Sequence, residues 1–195
     1  MIGRTARASN MVSYAKVPHP PWRVRRWRLI PGAFLFVLAA APVAAQTPFT
    51  GTLPTDNQVE LFTLTLNSSE SITIQTYSYA GGTVNSTVFS AGGFAPTAFL
   101  FDGQGNVLTL TNGTSSQVGQ DPTTGNSDDL YFQDTLGPGT YTLALAVYNN
   151  RPVDTAVADG FVQNVNPGFT CQETLVIGGN FCDATTALGT PRTGA

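Results

Sequence analysis

The stretch PTAFLFDGQGNVLTLTN, residues 96–112, decides the fold. Phe99 and Phe101 alternate with Ala98 and Leu100, which is the two-residue period of a strand. Asp102-Gly103-Gln104-Gly105-Asn106 follows, a cluster in which glycine and asparagine tolerate positive φ and aspartate bonds its own backbone. Apolar alternation resumes at Val107. A strand, a tight turn and a second strand are therefore expected, the central hairpin of an all-β domain.

The same signature recurs on both sides. Upstream, Val59–Leu66 (VELFTLTL) places Phe62, Leu64 and Leu66 on one face and ends in the turn Asn67-Ser68-Ser69-Glu70. From Ser71 to Tyr79, Ile72, Ile74 and Thr76 alternate with Thr73, Gln75 and Tyr77. Gly81-Gly82 and Gly92-Gly93 then flank a short strand expected at Thr87–Phe89.

Downstream, residues 113–129 are polar and aperiodic and read as one long surface loop. A strand resumes at Leu130–Phe132, and Leu136-Gly137-Pro138-Gly139 turns it into Thr140–Tyr148. There Tyr141, Leu143, Leu145 and Val147 face inward, while the small residues Thr142, Ala144 and Ala146 predict that the opposite face is covered as well. From Asn149 the chain is irregular up to the loop between Cys171 and Cys182. At least six strands with no helical period imply an antiparallel β-sandwich.

Charge divides the chain. Seven of the nine basic residues and the single histidine lie before residue 29, and all twelve acidic residues lie from Asp56 onward. After Arg28 comes LIPGAFLFVLAAAPVAA, an apolar run too short and too interrupted by Pro31 and Pro42 for a comfortable membrane span. It ends with Val43 and Ala45 at the −3 and −1 positions of a cleavage site before Gln46, the pattern of a secretory signal peptide over residues 1–45. Arg25-Arg26 invites a twin-arginine reading, but Arg28 stands where that signal needs an apolar residue, so general secretion is expected.

Residues 46–195 then form one domain with two basic against twelve acidic residues, a formal −10. That sign disfavours nucleic acid and anionic membrane surfaces. It suits divalent cations and neutral glycans. No membrane span is expected after cleavage. In an oxidising compartment Cys171 and Cys182 are expected to pair, stabilising by roughly 3 kcal/mol at most for so short a loop.

The order VELFTLTL, SITIQTYSYAGG, GGFAPTAFLFDGQGNVL and LGPGTYTLALAVYNN resembles bacterial pre-peptidase C-terminal domains and their relatives, over nearly all of residues 49–195. Nearest in pattern are secreted single-sandwich proteins of unestablished function, often with a C-terminal sorting tail. The most specific pieces are Tyr79-Ala80-Gly81-Gly82, Gly92-Gly93-Phe94, Leu100-Phe101-Asp102 with Gly105, and Gly139-Thr140-Tyr141. The resemblance implies a jelly-roll-like sandwich with an accessory, noncatalytic role; related domains bind calcium or assist substrate binding beside a protease. Two departures remove carboxylates: Ala95 stands where relatives commonly carry Asp, and Asn112-Gly113-Thr114 replaces an Asp-rich turn. Relatives also continue past an Arg-Thr-Gly like Arg192-Thr193-Gly194 into one more apolar strand, so either the sequence is a fragment or the sandwich of residues 46–195 lacks its last strand.

Residues 46–195 contain no histidine and no lysine, and their cysteines are assigned to a disulfide, so a Ser-His-Asp triad cannot be built from them. A carboxylate-based hydrolase is the least favoured reading, because Asp128 and Asp129 are neighbours that an extended chain points to opposite sides. No enzyme activity is expected. Calcium is the candidate cofactor, with Asp121, Asp128 and Asp129 in the long loop and Asp102 in the hairpin turn as candidate ligands; none follows the spaced-acid calcium loop. For Asp102-Gly103 the turn role is preferred.

Tyr77, Tyr79 and Phe94 offer an aromatic platform for a sugar ring, although packing is the commoner use of such residues. Asn67, Asn85 and Asn112 each begin an Asn-x-Ser/Thr triplet, read as turn residues given the bacterial resemblance. The expected function is an exported noncatalytic module that binds a glycan or surface protein, or serves structurally, at the cell surface, in the periplasm or in the matrix. The alternative is a calcium-stabilised adhesion or carbohydrate-binding domain.

Overall fold

The computed structural model describes residues 12–15, 46–112, 117–175, 179–183 and 189–195. Its strands are β1 (Val12–Ala15), β2 (Gln46–Phe49), β3 (Val59–Leu66), β4 (Glu70–Gln75), β5 (Gly82–Val84), β6 (Thr87–Phe89), β7 (Pro96–Phe101), β8 (Val107–Asn112), β9 (Tyr131–Leu136) and β10 (Gly139–Val147). They form two four-stranded antiparallel sheets, ordered β2-β1-β4-β9 and β3-β10-β7-β8, and a small β5-β6 hairpin. The protein is an all-β sandwich.

The expected hairpin is present: β7 pairs with β8 across the Asp102–Asn106 turn, where Gly105 has φ 84°. Asp102 Oδ1 accepts the Gln104 and Asn106 N–H groups at 2.9 and 2.8 Å, which makes it a turn residue as preferred. The turns after β3 and β9 do something different. Each carries the chain from one sheet to the other, so that β3 lies beside β10 in the second sheet and β4 beside β9 in the first. Two stacked arches result. At their shared corner Leu66 and Leu136, both buried, close the end of the sandwich.

Alternation then sorts the side chains. Leu66, Ile72, Ile74, Ala98, Leu100, Leu136, Leu143 and Leu145 meet between the sheets with Leu130, and Phe62, Leu64 and Tyr141 pack against them. The space left there, lined by Ile74, Leu100 and Phe132 among others, is about 10 Å³, no more than one water needs, so it has no room for a ligand.

On the outer face of the second sheet, Phe99, Phe101 and Ala144 are buried beneath Phe161, whose ring meets that of Phe99 edge-on at 5.8 Å. The covered second face expected for β10 is therefore found, and the cover is the irregular segment after Asn150. A third cluster of Leu53, Phe94, Val147, Phe169 and Phe181 seals the adjoining end.

Three local expectations change. A five-residue helix, α1 (Phe169–Glu173), and a 3-10 turn at Val157–Asp159 interrupt the irregular segment. The helix is too short to show a period. Asp56 holds its start, accepting the N–H groups of Gly168 at 2.6 Å and Thr170 at 2.9 Å, and the Cys171–Cys182 disulfide ties it to the chain that follows. β9 also runs on to Leu136, past the expected Phe132, because its arch with β10 continues the pairing with β4.

The described part of the 113–129 segment is not a free surface loop, since Asp121 and Asp129 are buried in it. Of residues 1–45 only β1 is described, and its backbone lies between β2 and β4. Ala45 and the rest of the expected leader lie outside the described residues, and Gln46 opens β2.

Candidate functional site

The most elaborate polar structure begins where β4 ends. The Thr76 N–H bonds to the Leu130 carbonyl instead of continuing the ladder. Its hydroxyl accepts the Leu130 N–H at 2.8 Å and donates to Asp129 Oδ1 at 2.9 Å. The Asp129 carboxylate also takes the N–H groups of Tyr79 (3.0 Å) and Ala80 (2.8 Å). Burial pushes its carboxyl above the usual range, and these bonds only partly offset that effect.

The turn so fixed sets Tyr79, which is wholly buried, beneath Arg192. The guanidinium carbon lies 3.9 Å from the ring centroid. Arg192 Nη1 donates to Asp121 Oδ2 at 3.0 Å, and Nη2 and Nε donate to Asp183 Oδ2 at 2.8 and 3.2 Å. The Tyr79 hydroxyl donates to Asp183 Oδ2 at 2.6 Å and lies 2.9 Å from Thr124 Oγ1. Asp121 Oδ1 takes the N–H groups of Thr123 and Thr124 and the Thr124 hydroxyl.

Burial works against the charge of Asp121, yet Arg192 and Thr124 outweigh it and hold the carboxyl below its usual value. Burial likewise opposes the Arg192 charge, and Asp121 and Asp183 overcome it, raising the Arg192 pKa. We call this group the clasp. It joins the turn after β4, the loop before β9 and the C-terminal segment.

Other bonds extend it. Ser78 Oγ lies 2.8 Å from the carbonyls of both Phe94 and Ala195, and Leu53 N–H bonds to the Gly194 carbonyl. Thr193 N–H bonds to the Gly92 carbonyl beside a parallel bridge from Gly93 to Thr193. A Cβ on Gly93 would collide with the Ala195 carbonyl, which is why glycine stands there.

Among the sequence candidates, then, Asp121 and Asp129 are brought near one another around Tyr79 but spend their oxygens on protein donors. Asp128 is half-buried next to them, and Asp102 belongs to the β7–β8 turn. Among the described residues no three His, Cys, Asp or Glu side chains gather as an ion would require. Tyr79 and Phe94 are buried and present no face to a sugar, while Tyr77 packs on Phe89 with ring centroids 6.5 Å apart.

Sequence reasoning missed Asp56, Asp183 and Arg192. The available signal was Arg192 itself, one of only two basic residues after residue 45 in a domain with twelve acids.

A second feature lies on the other side of the second sheet. The segment that covers β7 and β10 stops short of β3, leaving an open groove of about 430 Å³ lined by Thr55, Asn57, Gln58, Val59, Leu61, Val157, Gly160, Phe161 and Asn164. Its lining mixes polar residues with Val59, Leu61, Val157 and Phe161, and Leu61 is 55% exposed. Asn57 donates to the Asn164 carbonyl at 2.8 Å, but its Oδ1 is buried without a hydrogen-bond partner. No charged side chain lines the groove.

Fold and sites together define an antiparallel β-sandwich whose C-terminal segment is locked by an ionic clasp and a disulfide. The chain matches no protein-family model, and no match is found among curated proteins or solved structures. Among the described residues no helix is long and apolar enough to cross a membrane.

Proposed function

We propose that residues 46–195 are a noncatalytic recognition domain of an exported protein, related in role to the pre-peptidase C-terminal domains that the sequence resembles. The observation that carries this reading is the contrast between consumed and available groups. Asp121, Asp129 and Asp183 are buried and bonded to the chain itself, whereas the surface offers a groove lined by uncharged residues in which Leu61 is exposed. General acid–base work needs a group that meets substrate with a tuned pKa. Recognition needs a preformed concavity with a few polar contacts.

Export supplies the setting, at the cell surface, in the periplasm or outside, and there a glycan or surface protein is the natural partner. The Cys171–Cys182 disulfide is compatible with such an oxidising compartment.

The test is expression of the full chain in a bacterial host with fractionation and N-terminal sequencing. A mature N-terminus at Gln46 outside the cytoplasm is expected; an uncleaved cytoplasmic product overturns the export half of the proposal. Incubation of the exported protein with peptide and glycan substrates should give no turnover. Turnover lost on Asp128→Asn or Asp129→Asn would replace recognition by hydrolysis. Since Asp121 and Asp129 are occupied, millimolar calcium should leave the melting temperature unchanged.

A further inference from the structure

We propose that the free edge of β3 is a docking site for an extended cationic peptide segment, which adds to the second sheet as a strand and sets apolar side chains into the adjoining groove.

β3 is the outermost strand of its sheet, and among the described residues nothing pairs with its far edge. Alternate residues of an antiparallel edge strand turn their N–H and C=O groups outward, so β3 presents a ready ladder. Natural sheets usually blunt such edges with proline, a charged side chain, a bulge or a covering segment. The other described edges follow that habit, and cleavage before Gln46 would remove β1 and open only β4 in addition, a strand of six residues against the eight of β3. β2 contains Pro48, β9 exposes Asp134, and the β7–β8 register shifts between Leu100 and Phe101. β3 has neither proline nor lysine, and it pairs with β10 over all eight residues without a register shift. It is the longest edge strand described, and Glu60, on the face it shares with Phe62 and Leu64, is its only charge.

The groove lies along the entry to this strand. Val59, Leu61, Val157 and Phe161 give it its apolar lining, and Thr55, Asn57, Gln58 and Asn164 its polar one. Strand addition uses these parts in the usual division of labour, with main-chain bonds giving affinity and pockets for alternate side chains giving specificity.

Charge selects the occupant. Glu60 lies on β3 and Asp159 in the exposed turn between groove residues Val157 and Gly160. Across residues 46–195 acids outnumber bases twelve to two, and one of those bases, Arg192, is sealed in the clasp. A second copy would bring Glu60 and Asp159 against their own kind. A glycan would lack an aromatic platform, because the one ring in the groove, Phe161, is 7% exposed.

A peptide strand fits both demands. Residues facing Glu60 and Leu61 point to opposite sides of the sheet, so the ligand should alternate cationic and apolar residues.

This inference rests on the recognition reading. The test is selection from a randomised octapeptide display library on the exported protein, followed by titration of the selected peptide. Enrichment of sequences with alternating Lys or Arg and apolar residues is expected, with binding that weakens as salt rises. Amide exchange should slow within Val59–Leu66 on binding. Glu60→Lys should weaken binding about fivefold or more, from loss of an attractive cross-strand pair and its replacement by a repulsive one, and Leu61→Lys should weaken it while leaving the melting temperature in place. N-methylation of alternate peptide amides should abolish it.

Failure to enrich any peptide, enrichment without the alternation, or binding indifferent to Leu61→Lys and to N-methylation overturns the docking site and leaves the recognition reading standing. Cleavage of the selected peptide would overturn the recognition reading itself. Concentration-dependent dimerisation abolished by Leu61→Lys would assign the edge to a second copy instead.

Discussion

At the clasp, three ionisable side chains and a tyrosine are buried and each meets a partner; at the groove, Leu61 stands 55% exposed beside an amide oxygen that meets none. The clasp sits where β4 ends and β9 begins in the first sheet, whereas the groove lies beside β3 in the second. The difference teaches where to look for function in this molecule. Charges taken out of water are tolerable only when fully paired, and paired charges cannot meet a ligand. Exposed apolar surface next to unpaired polar atoms is free to do so.

Breaking the clasp should produce the largest effect. Arg192→Ala leaves Asp121 and Asp183 buried without their cation, a loss expected to cost about 3–5 kcal/mol in urea unfolding. A loss below about 1 kcal/mol would mean that the carboxylates reach water and that the clasp is no lock. The wild-type ion pairs need add little net stability for this to hold, since the penalty comes from the charges left behind.

The outer aromatic layer comes next. Phe161→Ala removes the ring over Phe99 and is expected to cost about 3 kcal/mol, at the lower end of buried aromatic truncations because the site lies near the surface. A cost that small for a layer outside the two sheets would still match many core positions. Chemical denaturation checks it, and a change under about 1 kcal/mol would reduce the 150–168 segment to a loose strap.

These two variants probe what was least legible in the sequence. The β7–β8 hairpin, the inward sets on β3, β4 and β10, and the covered second face of β10 all follow from a period of two, which acts between near neighbours and can be read directly. The period does not say which sheet a strand joins. Asn67-Ser68-Ser69 and Gly137-Pro138 look like hairpin turns, yet they span two layers. What covers Phe99 and Phe101 is equally hidden, since the 150–168 segment has no period.

The clasp is hidden for a different reason. Tyr79, Asp121, Asp183 and Arg192 are brought together only by the finished fold, with Tyr79 and Asp183 104 positions apart. Asp121 and Asp129 were visible as acids in a long loop, but whether such acids face a cation or a buried arginine is decided by that distant residue.

Acid titration gives a smaller and more specific test. Asp121 is held below its ordinary value of 3.8, so its contribution is complete above that value and is lost as pH falls through its lowered folded pKa. Asp129 is raised, so it works in the opposite sense: it weakens the fold at neutral pH, and that cost is relieved as pH falls through its raised pKa toward 3.8. The melting temperature should therefore hold or rise slightly from pH 7 toward 4 and fall below about 3.8. Asp102, lowered chiefly by the Asn106 N–H, and Glu173, raised by burial, titrate in the same windows. The variants separate them: Arg192→Ala should remove most of the acid limb, and Asp129→Asn should flatten the upper one. An acid limb unchanged in Arg192→Ala would place it outside the clasp.

The smallest effect on stability should come from Leu61→Ser, and that is its value. Leu61 packs partly against the groove wall but is half open to water, so its removal should change unfolding free energy by about 0.5 kcal/mol or less. The strand should survive, because Leu61 sits opposite Ala144 in a ladder that β10 holds along its whole length. If instead Leu61→Ser destabilises by more than about 2 kcal/mol, the leucine belongs to the outer aromatic layer with Phe161, and the groove is an incomplete core rather than a surface kept open. A stable Leu61→Ser protein that has lost peptide binding would show the opposite: selection has left an apolar side chain in water at this edge, where stability alone gives it no reason to be.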